Sequence, residues 1–247
     1  MTRLRRERLV RLDRLDLGRF DVGPGRRLIP ITGFLLTTDA GTRILFDTGF
    51  PAAYAQDERS AALADGLDGF GRLLDFTPRQ TITGALALHG LAPADIAQVI
   101  LSHSHIDHVG GLDLFAHARI WLTAAERALP RPLYFGTRRP MVWPQTDYRT
   151  ITRATEVCGG LQLIPTPGHC PGHLSALIRL PQGPAVILAA DAINRASEPA
   201  EGYPDADDPA TAARSGAKLF RLARRHDAQL ICGHEPADLT PGALRWP

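Results

Sequence analysis

The sequence of 247 residues predicts an α/β (α+β) fold in which two β-sheets pack face to face between outer helices. Strand-like and helix-like segments alternate along the chain, and each half is rich in strands and closed by helices. The hydrophobic fraction of 44% is typical of a globular protein, and a chain of this length forms a core without disulfides. We expect a single domain, in which residues 1–27 are a solvated, partly frayed lead-in with a first strand and residues 28–247 form the main body.

The first half of the chain begins with a predicted hairpin. Residues 30–38 and 43–47 are apolar and β-branched, and Asp39-Ala40-Gly41 between them is typical of a tight turn. Residues 60–76 and 81–89 have the apolar spacing of helices, so each segment is predicted to be helical.

The rest of the chain alternates in the same way. Residues 99–101 predict a short buried strand that ends at a histidine-rich loop. Thr123 and Glu126 have the spacing of a capping box and predict the start of a helix. Residues 130–148 mix prolines with aromatic residues and predict a long irregular segment with exposed aromatic side chains. The second half is completed by strands over 161–164, 175–179, 185–189 and 229–232 and by the clearest helix, over 210–225.

Charge and cysteine content argue against several classes of function. The net charge of +2 is too small to favour a nucleic-acid partner, and no stretch approaches the roughly 18 apolar residues of a membrane span. Three cysteines without a C-x-x-C pair argue against a disulfide framework and for a reducing compartment. We therefore expect a cytoplasmic protein with a small-molecule substrate, no nucleic-acid or membrane partner, and a homodimer as a candidate assembly.

Four side chains of the types that bind metals lie within six positions: His103, His105, Asp107 and His108. The chain has nine histidines, so three of them in one hexapeptide indicate a metal site. Two histidines at i and i+2 of an extended loop point the same way, which lets His103 and His105 bind one ion. Asp107 and His108 lie on a turning backbone and are predicted to bind a second ion.

Three more candidate ligands, His169, Asp191 and His234, each follow a predicted strand. Strand ends that meet at one edge of a sandwich bring distant residues into one cleft. We expect His169 to complete the set on the first ion and His234 the set on the second. Asp191 is the expected bridge, because a carboxylate offers one oxygen to each ion. His173 is the reserve ligand, while Cys170 and Cys232 are expected to pack as small apolar side chains.

The predicted cofactor is a pair of divalent metal ions, with zinc the best match to imidazole and carboxylate ligands. A closed structural zinc site is the alternative, but it takes four ligands and often uses cysteine, and the seven candidates exceed that number. Two ions about 3.5–4 Å apart place positive charge where a tetrahedral oxyanion forms, which favours hydrolysis.

These motifs resemble the signature of the metallo-β-lactamase superfamily. The run His103-Ser104-His105-Ile106-Asp107-His108 with Gly110-Gly111 matches its metal motif, and Asp47-Thr48-Gly49 resembles its early turn, whose aspartate supports the metal site. The later motifs match in order: Thr166-Pro167-Gly168-His169 with Pro171-Gly172-His173, Ala190-Asp191 and Gly233-His234. The resemblance covers about residues 28–236 and implies an αββα four-layer sandwich with a binuclear, usually zinc, hydrolase site.

Within the superfamily the chain is most similar to the N-acyl homoserine lactone lactonases, through its size, its Ile29-Pro30 and the aspartate at position 191. The resemblance implies that a hydroxide bridging the two metals attacks the lactone carbonyl and that Asp107 passes a proton to the leaving group. Many such lactonases carry a tyrosine three residues after the bridging aspartate. This chain has Asn194 there, which can donate a hydrogen bond over a shorter reach. Tyr203 in the next loop is the other candidate for that role, although a surface turn suits it better.

Other functions on this fold stay open. Hydrolysis of a β-lactam, a thioester or another carboxylic ester would use the same metals with different walls, and an iron-dependent oxygenase or electron carrier would use a different metal. Arg138 and Arg139 are candidates to bind a carboxylate. The predicted walls come from residues 50–76 and 130–148, whose aromatic side chains suit an acyl chain or a hydrophobic ring: Phe50, Tyr54, Phe70, Phe76, Tyr134, Phe135, Trp143 and Tyr148.

Overall fold

Two β-sheets lie face to face at the centre of the fold, with helices on both outer faces. The computed structural model describes residues 3–23, 27–236 and 245–246. Parts of both predicted segments of the chain, residues 1–2, 24–26, 237–244 and 247, lie outside the described residues. The αββα arrangement confirms the predicted fold class.

The first sheet has eight strands within the described ranges. They are β1 (Leu9–Asp21), β2 (Leu28–Thr38), β3 (Arg43–Phe46), β4 (Arg72–Leu74), β5 (Gln98–Ile100), β6 (Arg119–Thr123), β7 (Tyr148–Ile151) and β13 (Arg245–Trp246). The order is β13-β1-β2-β3-β5-β6-β7, and β4 pairs with the end of β1. Strands β3, β5, β6 and β7 are parallel, so their carboxyl ends point to the same edge of the sheet.

The second sheet has five strands in the part of the chain that the structure describes, in the order β12-β11-β10-β9-β8. They are β8 (Thr155–Cys158), β9 (Leu161–Pro165), β10 (Leu174–Ile178), β11 (Ala185–Ala190) and β12 (Ala228–Cys232). Strands β11 and β12 pair in parallel, and the other neighbours are antiparallel. The predicted hairpin of β2 and β3 and the predicted strands β5, β9, β10, β11 and β12 are confirmed.

Helices cover the outer faces of both sheets: α1 (Glu58–Asp65), α2 (Ile82–Ala87), α3 (Ile106–Val109), α4 (Ala124–Arg127), α5 (Glu198–Glu201) and α6 (Pro209–His226). Helix α6 confirms the helix predicted over 210–225. Asp208 is its N-cap, and the Asp208 side chain accepts the backbone N–H of Thr211 at 3.0 Å. Short 3₁₀ turns lie at Arg3–Arg6, Ala52–Ala55, Pro93–Asp95 and Leu112–Phe115. A search of the described residues finds no helix with the length and apolar character needed to cross a membrane.

Three apolar layers separate these elements. Side chains alternate across the strands, so Leu36 of β2 packs between the two sheets while Leu35 packs against the helices outside the first sheet. In the second sheet, Leu188 faces the other sheet and Ile187 faces α6, where it meets Leu219. Both sheets are therefore buried on both faces, as the near-continuous apolar strands of this sequence require.

Residues 1–27 were expected to contain a lead-in and a first strand, and residues 9–21 form the long strand β1, in which Asp13 is buried. One expectation for the first sheet is wrong. The helix predicted over residues 60–76 ends after α1, because Gly66 takes a left-handed conformation (φ 76°) and terminates it. The remaining residues return as the edge strand β4, in which Leu73 is buried.

The aromatic residues of segment 130–148 are also more buried than expected. Tyr134 and Trp143 belong to the core between the first sheet and the helices, and Tyr148 begins strand β7. The indole N–H of Trp143 donates to the backbone oxygen of Leu129 at 2.8 Å. The backbone of this segment is irregular, but its aromatic side chains pack into the core.

The layer under α6 leads to a first prediction. Leu219→Ala removes a fully buried side chain and is expected to lower the free energy of unfolding by about 2–5 kcal/mol. The matched helical control, Leu63→Ala, removes a side chain that is 62% exposed and should change the same quantity by less than about 0.5 kcal/mol. Urea unfolding at fixed metal concentration measures both, and equal losses would contradict the assigned packing.

Candidate metal centre

The seven predicted metal ligands converge at one edge of the two sheets. Strand β5 ends at Ile100 and leads into the loop that carries His103 and His105, and α3 follows with Asp107 and His108. From the second sheet, β9 leads to His169, β11 ends next to Asp191 and β12 leads to His234. The predicted juxtaposition is therefore present.

The first group of ligand atoms is made of three histidines. His105 Nδ1 lies 2.9 Å from His103 Nε2 and 3.0 Å from His169 Nε2. Three ring nitrogens at such short separations lie close enough to bind one ion together.

The second group contains Asp107, His108 and His234. The Oδ2 atom of Asp107 lies 3.3 Å from Nε2 of His108 and 3.4 Å from Nε2 of His234. This is the second set that the sequence predicted, and it also can hold one ion.

Asp191 lies between the two groups. Its Oδ2 atom is 3.4 Å from His169 Nε2 in the first group and 3.3 Å from His234 Nε2 in the second. Its Oδ1 atom is 3.4 Å from His108 Nε2. One carboxylate therefore faces both groups, which is the geometry expected of a bridging ligand.

Hydrogen bonds on the outer side of three histidines fix which ring nitrogen faces the centre. His234 Nδ1 donates to the carbonyl oxygen of Pro30 at 2.9 Å, because a carbonyl can only accept. His108 Nδ1 lies 2.9 Å from Asp47 Oδ2, and His103 Nδ1 lies 3.1 Å from Ser102 Oγ. Each of these rings thus directs Nε2 inward, which is the atom that metal-binding histidines with a bonded Nδ1 offer as a ligand.

Asp47 supports the centre as the resemblance implied. Its Oδ1 accepts the backbone N–H of Ser102 at 2.7 Å, and its Oδ2 accepts the Ser102 hydroxyl at 2.7 Å. The same Oδ2 accepts His108 Nδ1. Asp47 has a positive φ of 61°, a sparsely populated conformation held by these contacts.

The backbone also brings Asp191 close to the end of β12. Ala190 has a positive φ of 46°, which turns the chain out of β11 directly before the aspartate. Gly233 lies against this turn, and a Cβ atom there would stand 2.7 Å from Asp191 Oδ1 and 2.8 Å from the carbonyl of Ala190. Only glycine permits this approach of the His234 loop.

Unsatisfied polar atoms show that the site fits cations. The Nε2 atom of His108 and the Oδ1 atom of Asp191 are buried and have no hydrogen-bond partner among the described residues, although they lie 3.4 Å apart. Buried polar atoms in folded proteins are nearly always paired, so lone pairs that converge without a donor indicate a metal site.

The ionisation of the two groups differs. Burial and the neighbouring His169 lower the pKa of His105 to about 3, and burial lowers the pKa of His103 well below its ordinary value. In the second group burial also opposes protonation, but Asp191 and Asp107 outweigh it and raise the pKa of His234 to about 10. His103 and His105 therefore offer neutral imidazoles, whereas the carboxylates of the second site favour positive charge beside them.

The reserve ligand and the cysteines lie outside both groups. His173 is fully buried, and its Nδ1 lies 2.9 Å from the hydroxyl of Thr166. Cys170 is buried with its Sγ 3.7 Å from Glu126 Oε2, and none of the described cysteines forms a disulfide. The expectation that Cys170 packs as a buried side chain is confirmed.

A cavity of about 510 Å³ opens onto the centre and exposes one side of both groups. Phe50, Phe70, Tyr134, Phe135 and Arg139 line it as the sequence predicted, whereas Arg138 turns away and donates to the backbone oxygen of Ala64. Sequence reasoning missed the walls that β1, β2 and their neighbours supply, because nothing local in those segments points to a cavity: Phe20, Val22, Arg27, Ile29 and Ile31.

Asn194 lines this cavity, but its orientation differs from the expected one. Its Nδ2 donates to Glu198 Oε1 at 3.1 Å, and its backbone N–H donates to Glu198 Oε2. The buried Oδ1 has no partner among the described residues. Asn194 therefore presents a hydrogen-bond acceptor. Tyr203, the other candidate, is buried against Gly216 of α6 and is neither a surface residue nor a cavity wall.

Two sheets between helices, with paired ligand groups at one sheet edge, define a metal-dependent hydrolase fold. The family model of the metallo-beta-lactamase superfamily matches residues 27–234, and the chain belongs to this superfamily. An N-acyl homoserine lactonase of Bacillus thuringiensis is 33% identical over 217 residues, which cover 86% of this chain and 84% of that protein. The N-acyl homoserine lactonase AttM of Agrobacterium fabrum is 30% identical over 223 residues, which cover 84% and 82% of the two chains.

Solved structures agree with the sequence relatives. An N-acyl homoserine lactone hydrolase with the product N-hexanoyl-L-homoserine bound at its catalytic metal center has a TM-score of 0.80 with this chain. The two are 28% identical, and the match covers 94% of this chain and 95% of that one. The predicted superfamily, the fold and the assignment as a metal-dependent hydrolase are confirmed.

The ligand geometry leads to a second prediction. His169→Ala and Asp191→Ala are each expected to hold fewer zinc ions per chain than the unaltered protein, because each removes a ligand atom from a buried group. Elemental analysis after dialysis measures this. His117→Ala, which removes an exposed histidine, should leave the zinc content unchanged. Full zinc content in both ligand variants would contradict the assigned geometry.

Proposed function

We propose that the protein opens the lactone ring of an N-acyl homoserine lactone or a related ester by adding water at a binuclear metal centre. The observation that carries the proposal is the cavity, which is lined by members of both ligand groups together with aromatic and aliphatic side chains. The lactonases to which the chain is similar support it.

The two ions, which we propose to be zinc, are assigned to the two groups found here. The first is held by His103, His105 and His169, and the second by Asp107, His108 and His234, with Asp191 shared. When bound, such ions polarise a carbonyl oxygen and activate water as a nucleophile.

Asp107 is proposed to move the proton. Ring opening forms a bond between water oxygen and the acyl carbon, breaks the ring C–O bond, and requires a proton on the leaving oxygen. The side chain of Asp107 is 15% exposed, more than the 6% of Asp191, and it lines the cavity. It is therefore placed to take a proton from water and deliver it to the leaving oxygen.

The shape of the chamber suits an acyl chain. Aromatic and aliphatic side chains form about half of its lining, and a volume of about 510 Å³ falls within the usual range of small-molecule sites. Phe20 stacks with Phe50 at 5.6 Å and with Phe70 at 6.1 Å between ring centroids, so this wall is continuous. An alkyl chain buried there gains the ordinary free energy of apolar burial.

Asn194 is proposed to contact the substrate beside the lactone ring. Because the carboxylate of Glu198 accepts the Nδ2 N–H, the buried Oδ1 is the atom of this cavity-lining side chain that lacks a partner. A substrate amide N–H would satisfy this acceptor, and an N-acyl homoserine lactone carries one amide. This replaces the sequence-based expectation that Asn194 donates to the substrate carbonyl.

The third prediction tests the substrate class. Initial rates with N-hexanoyl- and N-decanoyl-L-homoserine lactone, a β-lactam and a glutathione thioester are compared at equal zinc occupancy. We expect kcat/KM for the lactones to exceed the others by about 100-fold or more, a ratio within reach of a shaped pocket. A faster β-lactam or thioester reaction would overturn the proposed substrate and leave the metal centre intact.

The fourth prediction tests Asn194. Asn194→Ala should lower kcat/KM for an N-acyl homoserine lactone by about 3- to 10-fold, the worth of one hydrogen bond. The paired substrate is a γ-lactone with an alkyl chain of equal length and no amide, whose kcat/KM should change less than about twofold. Circular dichroism checks the fold, since Glu198 loses a partner. Equal losses on both substrates would show that Asn194 does not read the amide.

A further inference from the structure

We propose that Glu126 is a positioning residue for the first metal group and that it acts on this group without acting on the second. The proposal rests on the ligand assignment in the proposed function. Glu126 lies in α4, is buried, and is not a member of either ligand group. The sequence places Glu126 only at the start of a helix, which α4 confirms, and its side chain points towards the metal-binding loops.

One carboxylate oxygen of Glu126 holds the loop between two ligands. Oε1 accepts the backbone N–H of Ser104 at 2.8 Å and also accepts the Ser104 hydroxyl. Ser104 lies between His103 and His105 in the sequence. The two hydrogen bonds to Glu126 therefore restrain the backbone that carries both histidine rings. The Ser104 Oγ in turn accepts the backbone N–H of Leu133 at 2.9 Å, so the hydroxyl both donates and accepts a hydrogen bond.

The other carboxylate oxygen holds the loop of the third ligand. Cys170, which directly follows His169, points its Sγ at Oε2 over 3.7 Å. Gly172 packs so closely that a Cβ atom there would stand 2.2 Å from the same oxygen. Thr123, the cap of α4, donates its hydroxyl to the Gly172 carbonyl at 2.7 Å. Helix α4 is thus locked to the 169–172 loop at two points.

All three ligands of the first group are therefore sequence neighbours of residues that Glu126 contacts. Among the described residues, the Glu126 carboxylate forms no hydrogen bond to the second group. There the corresponding anchor is Asp47, which accepts from His108 and which also reaches His103 of the first group through Ser102. Burial raises the pKa of Glu126, and the bonds from Ser104 oppose that rise. Because the Glu126 carboxylate bonds only to the loops of the first group, its loss is expected to act on one ion.

The test measures zinc affinity in two backgrounds that each leave one ion. His234→Ala disables the second group and His169→Ala the first, and Glu126→Ala is added to each. In the His234→Ala background Glu126→Ala should weaken zinc binding by roughly 10- to 100-fold, the usual effect of losing an outer hydrogen-bond partner of metal ligands. In the His169→Ala background the change should be less than about threefold, as for uncoupled sites.

The controls separate positioning from stability. Glu7→Gln alters a buried glutamate that accepts the Thr38 hydroxyl at 2.6 Å outside both metal groups, and it should leave both affinities unchanged. If Glu126→Ala fails to fold by circular dichroism, Ser104→Ala decides, with a smaller loss in the His234→Ala background alone. Equal effects in both backgrounds, or none in either, would overturn the inference. Failure of the unaltered protein to bind zinc would instead overturn the proposed function.

Discussion

The constraint on which the rest of the structure depends is a cluster of three aspartates that need positive charge among them. Asp47 and Asp191 are buried at one sheet edge, the side chain of Asp107 beside them is 15% exposed, and imidazoles surround all three. A buried carboxylate is stable only when cations or several donors face it. His108 and His234 face these carboxylates, and their pKa values are raised by them. A divalent ion would supply the same positive charge and would also bind the polar atoms that no donor reaches. The interaction that stabilises the buried carboxylates would then also form the metal centre.

The fold supplies this arrangement through the ends of its strands. Parallel strands in the first sheet direct the histidine-rich loop to one edge, and β9, β11 and β12 bring the remaining ligands to it from the second sheet. Outer hydrogen bonds then orient the rings, because His234 donates to the carbonyl of Pro30 in β2 and His108 donates to Asp47. The same β1–β2 ribbon that carries Pro30 also walls the cavity. The same pair of strands therefore shapes the cavity and orients a metal-binding histidine.

The ligand set and much of the fold could be predicted because they depend on local signals. Apolar strands bounded by turns, and histidines placed directly after them, are visible in short windows of sequence. A first strand was expected within residues 1–27, but the bounds of β1 could not be predicted, because Arg11, Arg14 and Asp16 interrupt its apolar residues and pairing with β2 buries it. The burial of Tyr134 depends on Asp65 of α1, which accepts its hydroxyl at 3.2 Å from 69 residues away. The acceptor presented by Asn194 likewise depends on Glu198, whose side chain no pattern would have directed there.

The most direct test of the central claim is anomalous diffraction from crystals of the zinc-loaded protein, recorded on both sides of the zinc absorption edge. The account predicts two peaks per chain, one among His103, His105 and His169 and one among Asp107, His108 and His234, with Asp191 between them. A single peak, or a second peak away from these side chains, would contradict a binuclear centre at this edge of the sheets.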